Sequence, residues 1–150
     1  MIIPRSLREE HAHIIEVMES ASREGGTIGP AATAVLAVLR PHLEKEEQIA
    51  LPPLGMLTLS SEGTAQEVEE TIALSQRFSD DLSRMLEEHV IIGEKLQVLS
   101  VEAENAARKE YATIARELDR HMRLEEEIIY PAALLIGSYL RLWQARKVKA

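Results

Sequence analysis

A chain of 150 residues with 45% hydrophobic side chains can enclose one sizeable core, so a single domain over residues 1–150 is expected. A net charge of −8 argues against a nucleic-acid partner, and the absence of cysteine excludes disulfides, thiolate metal sites and cysteine nucleophiles. No stretch is long and apolar enough to span a bilayer, and the opening MIIPRSLREEHAH lacks the charged start and apolar run of a signal peptide, so no membrane partner and a cytoplasmic location are expected.

The pattern along the chain is helical. Ser6-Leu7-Arg8-Glu9 has the form of a capping box and places the start of a first helix near Leu7. Leu7, Ile14, Ile15 and Met18 follow at helical spacing. Gly25-Gly26 should end that helix, with a loop to Pro30. A second helix is expected over 31–51, kinked at Pro41 and stopped by Pro52-Pro53. Residues 54–64 read as a loop. Thr64 and Glu67 form a second capping box and predict a short helix over 65–78. Asp80 or Asp81 then caps a third helix running to 101. The break to a fourth helix is placed between Ser100 and Asn105, and that helix runs to Pro131. A last helix covers 132–147, and its basic end, RLWQARKVKA, reads as a solvated terminus favourable to the helix dipole.

Short links make neighbouring helices antiparallel. The expected fold is therefore all-α: an antiparallel up-down four-helix bundle, with an extra short helix between the second and third helices and a C-terminal helix. The 27 residues from Leu54 to Asp80 exceed most helix–helix links and read as structural elaboration, a lid or a partner surface.

One motif occurs twice. Residues 42–52 read HLEKEEQIALP and residues 121–131 read HMRLEEEIIYP. Each holds a His, a Glu four places on, a second Glu beside it and a Pro ten after the His. Upstream of each lies another His, His11 in EEHAHII and His89 in EEHVII. A residue four places on lies about 40° round a helix and ~6 Å along it, so His42 shares a face with Glu46, and His121 with Glu125. An imidazole beside a carboxylate suits iron, manganese or zinc. In antiparallel hairpins His11, His42, Glu46, His89, His121 and Glu125 can all converge at one end of the bundle.

Neighbouring residues read differently. His13 points about 160° away from His11 and is a surface or packing residue. Glu47 and Glu126, about 140° from their own His, read as solvated, as do Glu9, Glu10, Glu44, Glu87, Glu88 and Glu127. Glu10 and Glu88 each precede a site His, and support of that His from outside is the alternative reading for them. Tyr130 and Tyr111 are read as packing or as redox or supporting groups. The Glu-x-x-His motif of ferritin-like bundles is missing, since Arg8, Leu39, Leu86 and Leu118 stand three before the four His. No zinc-protease motif, phosphate-cradling loop or nucleophile elbow is present.

On these residues the chain resembles the hemerythrin-like family, the HHE cation-binding domain, over residues 5–135. The resemblance implies a bundle around a non-haem di-iron centre, with Glu46 and Glu125 matching bridging carboxylates and His11, His42, His89 and His121 matching terminal ligands. Manganese or zinc fits the same donors. Two departures from the oxygen carriers stand out. Carriers place two His four apart on the third helix, whereas here Gly93 lies four after His89 and Met85 four before it. The last carboxylate is a Glu at +4 rather than an Asp at +5. One fewer His leaves a position open to water, oxygen or peroxide. The expected function is binding or sensing of O2, peroxide or iron. The alternatives are a peroxide- or oxygen-activating oxidoreductase and a regulatory helical module with a structural metal. The sequence names no protein partner.

Overall fold

In a computed structural model of the chain, which describes residues 3–58 and 63–147, every regular element is helical. Helix α1 spans Arg5–Ser22, and α2 spans Ile28–Lys45 and continues through a π turn at Glu46–Ala50. A one-turn helix α3, Pro52–Gly55, and a 3-10 turn, Met56–Thr58, follow. Helix α4 runs from Ala65 to Asn105, and α5 from Lys109 to Leu124. A second π turn, Glu125–Ile129, joins α5 directly to α6, Tyr130–Lys147. No described helix is long and apolar enough to cross a membrane.

Several boundaries differ from expectation. Pro4 stands at the N-cap of α1 with no side-chain cap, so Ser6 lies inside the first turn instead of capping it. The first link is shorter than expected. Gly26 takes a positive φ of 66° and α2 starts at Ile28, with Pro30 in a first turn whose N–H groups have no helical acceptor to lose. Pro52-Pro53 does not stop the helical run but opens α3, for the same reason. Part of the expected 54–64 loop is helical, and its residues 59–62 lie outside the described residues.

The largest correction concerns the third helix. A helix over 65–78 and a separate one capped at Asp80 or Asp81 are in fact one helix of 41 residues. Its start is the predicted one, with Thr64 accepting from Glu67 N and Glu67 accepting from Thr64 N. No Gly or Pro interrupts the sequence from Ala65 to Ile92, and buried Phe78 and Met85 keep the helical spacing through the supposed break. Asp81 instead pairs with Lys45 Nζ at 3.3 Å, and Asp80 accepts from Gln76. The extra element before α4 is therefore α3, and the C-terminal helix is continuous with α5 through its π turn.

The break before α5 falls at 106–108, later than expected. Arg108 N bonds Ala103 O at 2.8 Å and Ala107 N bonds Glu104 O at 3.1 Å, the pair of bonds of a Schellman stop. Ala107 holds the left-handed position usually given to Gly, at φ 56°.

Helix α1 packs on α2, α2 on α4, α4 on α5, and α5 returns to α1, closing a ring of four. Helices α3 and α6 lie against α4. Gly137 permits the α6 approach, because a Cβ there would stand 1.9 Å from Ser75 Oγ. The interior splits into two apolar clusters. One joins Ile14, Met18, Val35, Leu39, Ile92, Leu99 and Leu118, and the other joins Ile49, Leu51, Phe78, Met85, Ile129 and Tyr130. In α2, α4 and α5, the stretch of helix between the two clusters carries His or Glu.

Candidate metal centre

That intervening layer holds all six residues singled out by the repeat. His11, His42, Glu46, His89, His121 and Glu125 are each at most 3% exposed. Among the described residues, no Lys or Arg is buried with them. Burying a carboxylate without a compensating charge costs several kcal/mol, so a layer with two of them between apolar clusters is costly unless a cation fills it.

The donor atoms face each other. His42 Nε2 lies 2.9 Å from His89 Nε2. Glu125 Oε1 is 2.7 Å from His121 Nε2 and 3.6 Å from His11 Nε2, while its Oε2 is 3.5 Å from His89 Nε2. Glu46 Oε2 lies 3.7 Å from His11 Nε2 and 3.9 Å from His42 Nε2. Two compact donor groups result, one of His42, Glu46, His89 and Glu125, the other of His11, His121 and Glu125. Glu125 belongs to both.

Both π turns begin at the motif Glu. Leu51 N bonds Glu46 O at 2.9 Å, five residues back, and Tyr130 N bonds Glu125 O in the same way. The next residue in each case is proline, which has no N–H to continue the ladder. The wider turn absorbs that missing donor, and such turns favour functional sites. The Pro ten residues after each His is thus the sequence trace of the widened turn.

Three of the four imidazoles are held from behind by a glutamate of a neighbouring helix. His11 Nδ1 lies 3.1 Å from Glu47 Oε1, His42 Nδ1 2.8 Å from Glu88 Oε2, and His89 Nδ1 2.8 Å from Glu126 Oε1. His121 Nδ1 is 3.2 Å from Glu10 Oε1, close but outside hydrogen-bond alignment. An ionised carboxylate only accepts, so Nδ1 carries the proton and the bare Nε2 lone pair turns inward. Lys45 Nζ, 2.6 Å from Glu88 Oε1, anchors one of these carboxylates.

Glu47 and Glu126 are therefore corrected from solvated to supporting residues. Their angle to the His of their own helix is unfavourable, but the His they serve sits on the adjacent one. Tyr130 is at the site, donating its hydroxyl to Glu46 Oε1, with Oη 3.2 Å from His89 Nε2. Tyr111 is not: it bonds Glu24 at 2.8 Å beside Arg108, near the α4–α5 link. His13 is exposed.

The donor set fits a cation. His11 Nε2, His121 Nε2, Glu46 Oε2 and both oxygens of Glu125 are buried without hydrogen-bond partners, although the short ion-pair contacts above bring them within 4 Å of one another. With Nδ1 protonated, His42 and His89 aim two lone pairs at each other across 2.9 Å, close to the ~3 Å between adjacent ligands of an octahedron with bonds near 2.1 Å. Burial raises the Glu46 carboxyl well above the usual carboxylate range, and Glu125 adds to it. Burial acts the same way on Glu125, but His11 and His121 override it and hold Glu125 at about 2. Burial lowers His42 despite Glu88, whereas at His121 the Glu125 and Glu10 carboxylates outweigh burial and raise it. The protons shared among these imidazoles and carboxylates are what a bound cation would replace.

The sequence also matches a known family: residues 3–133 fit the hemerythrin HHE cation binding domain. The chain belongs to the hemerythrin family. No curated protein and no solved structure matches it. The His and Glu of the family resemblance are the residues that the fold gathers into the buried layer.

Proposed function

We propose that this hemerythrin-family protein is a non-haem di-iron protein whose centre binds or senses O2, peroxide or iron. In this reading the ring of helices is an up-down four-helix bundle, His11 and His121 hold one iron, and His42 and His89 hold the other. Glu125, with both oxygens unpartnered between the two groups, joins them. That shared, orphaned carboxylate in a buried layer is the observation that carries the proposal.

Iron would supply an electron-rich centre able to bind and reduce dioxygen species. The chain's own residues set the conditions. Leu39, Leu118, Ile92 and Met85 wall the layer on its two sides and exclude water. Glu47, Glu88 and Glu126 fix the tautomers of His11, His42 and His89. Tyr130 presents a hydroxyl beside Glu46 and His89. Gly93, one turn beyond His89, leaves open space, since an added Cβ would meet nothing within 4 Å, and it borders a cavity of about 560 Å³ between α4 and α5. A second cavity, of about 280 Å³, reaches His11 and Glu47 from the α1–α2 side. The second gives a small ligand an approach to His11.

The test is anaerobic loading with ferrous iron, followed by air or peroxide while the visible and near-ultraviolet spectrum is recorded. The expected result is two irons per chain and new near-ultraviolet bands on oxidation. A reversible change marks binding, and catalytic loss of peroxide marks an oxidoreductase. A chain that takes up no iron, or zinc alone with a silent spectrum, overturns the proposal.

A further inference from the structure

The internal repeat makes the two motif glutamates equivalent in sequence, yet their surroundings differ. Glu125 has both oxygens buried and unpartnered, whereas only Oε2 of Glu46 is. The difference is Tyr130, whose hydroxyl donates to Glu46 Oε1. At the same offset of 79 residues that relates His42 to His121, the residue corresponding to Tyr130 is Leu51. Leu51 is buried and apolar and cannot hold a carboxylate oxygen.

Tyr130 is also firmly placed. It is 1% exposed, edge-on to Phe78 with ring centroids 5.0 Å apart, and stacked on His89 at 5.6 Å with planes 24° apart. A ring locked on two faces has little freedom to swing its hydroxyl away.

We propose that Tyr130 makes the two metal positions inequivalent: its hydroxyl occupies one oxygen of Glu46, leaving that carboxylate a single free oxygen, whereas Glu125 offers two. This rests on the metal site proposed above. Glu125 would then have both oxygens to offer bound metal. Glu46 would offer Oε2 alone, the oxygen facing His11 and His42. The group that includes Glu46 and His89 also has the hydroxyl beside it, and the His11–His121 group has none. Tyr130 is a positioning residue, acting through Glu46.

Cobalt(II) is the probe, titrated into metal-free protein and followed by its visible absorption. Wild type should take up two cobalt ions in two steps whose affinities differ by at least about tenfold, the worth of a hydrogen bond to a charged group. Tyr130→Phe keeps both ring contacts and frees Glu46 Oε1, so its two steps should draw together to within about threefold and the first-step spectrum should change, with two ions still bound. Two equal steps in wild type, a result that needs no variant, overturn this inference alone. So does unchanged spacing in Tyr130→Phe. Wild type that binds no cobalt overturns both this inference and the metal site beneath it.

Discussion

Two tyrosine hydroxyls in this molecule donate to a glutamate, and the two glutamates live in opposite circumstances. Near the links between helices, Tyr111 donates to Glu24, and Arg108 completes the pair with two parallel contacts at 2.5 and 2.7 Å. The Arg108 guanidinium holds Glu24 below the usual carboxylate range, and neither Glu24 oxygen is left buried and unpartnered. In the buried layer, Tyr130 donates to Glu46, no described Lys or Arg is buried beside it, burial pushes the carboxyl up, and Oε2 is left over. The first arrangement is a finished clamp between the α1–α2 and α4–α5 links. The second is a donor set whose buried acceptor atoms are left over for a cation. The comparison shows why buried acid alone is a weak sign of function, and why the leftover atoms are the informative part.

The comparison breaks most sharply at the imidazoles. His42→Ala or His121→Ala should lose metal, measured as ions per chain after dialysis, while exposed His13→Ala keeps the wild-type content. Next come the glutamates behind the imidazoles. Glu126→Ala and Glu88→Ala remove the acceptor that fixes a tautomer and should weaken metal binding by about 10- to 100-fold, read by competition with a chelator.

At the clamp the expectation reverses. Arg108→Ala should leave metal content unchanged and lower the melting temperature modestly, with the difference shrinking as salt is added, because the pair is partly open to solvent. The pH sign follows from the lowered Glu24 value. The clamp contributes above the ordinary carboxylate value of 4.5 and is lost as pH falls through the lower folded value. The gap in stability between wild type and Arg108→Ala should therefore close on acidification below that point. The smallest effect is a gain. Ala107→Gly relieves the left-handed conformation at the α4 stop and should stabilise the protein by about 1 kcal/mol in thermal or urea unfolding, without touching the metal.

That last residue also explains one boundary the sequence hides. A helix stop built on Ala107 carries no glycine to announce it, so the break reads too early. The supposed break at Asp80 fails for the complementary reason. An aspartate can cap a helix, but in the middle of an unbroken apolar spacing it pairs outward with a side chain, as Asp81 does with Lys45. Ser6 is overruled by Pro4, two residues earlier. The six inward-facing donors were legible because helical geometry relates residues four apart on one helix, and the repeat doubled the signal. Glu47 and Glu126 were not, because their partners lie across a helix–helix contact, and sequence spacing describes only the helix a residue is on. The π turns left one visible mark, the Pro ten residues after each His. Tyr130 was noticed only as a neighbour of the motif, since nothing in the sequence says that its hydroxyl ends on Glu46.

The central claim is that the layer between the two apolar clusters holds a pair of metal ions joined by Glu125. The most direct measurement is anomalous diffraction at the iron edge from crystals of the iron-loaded protein. Two peaks about 3–4 Å apart, one against His42 and His89 and the other against His11 and His121, with Glu125 between them, is the predicted result. No peak in that layer, or iron only at the protein surface, would contradict the account.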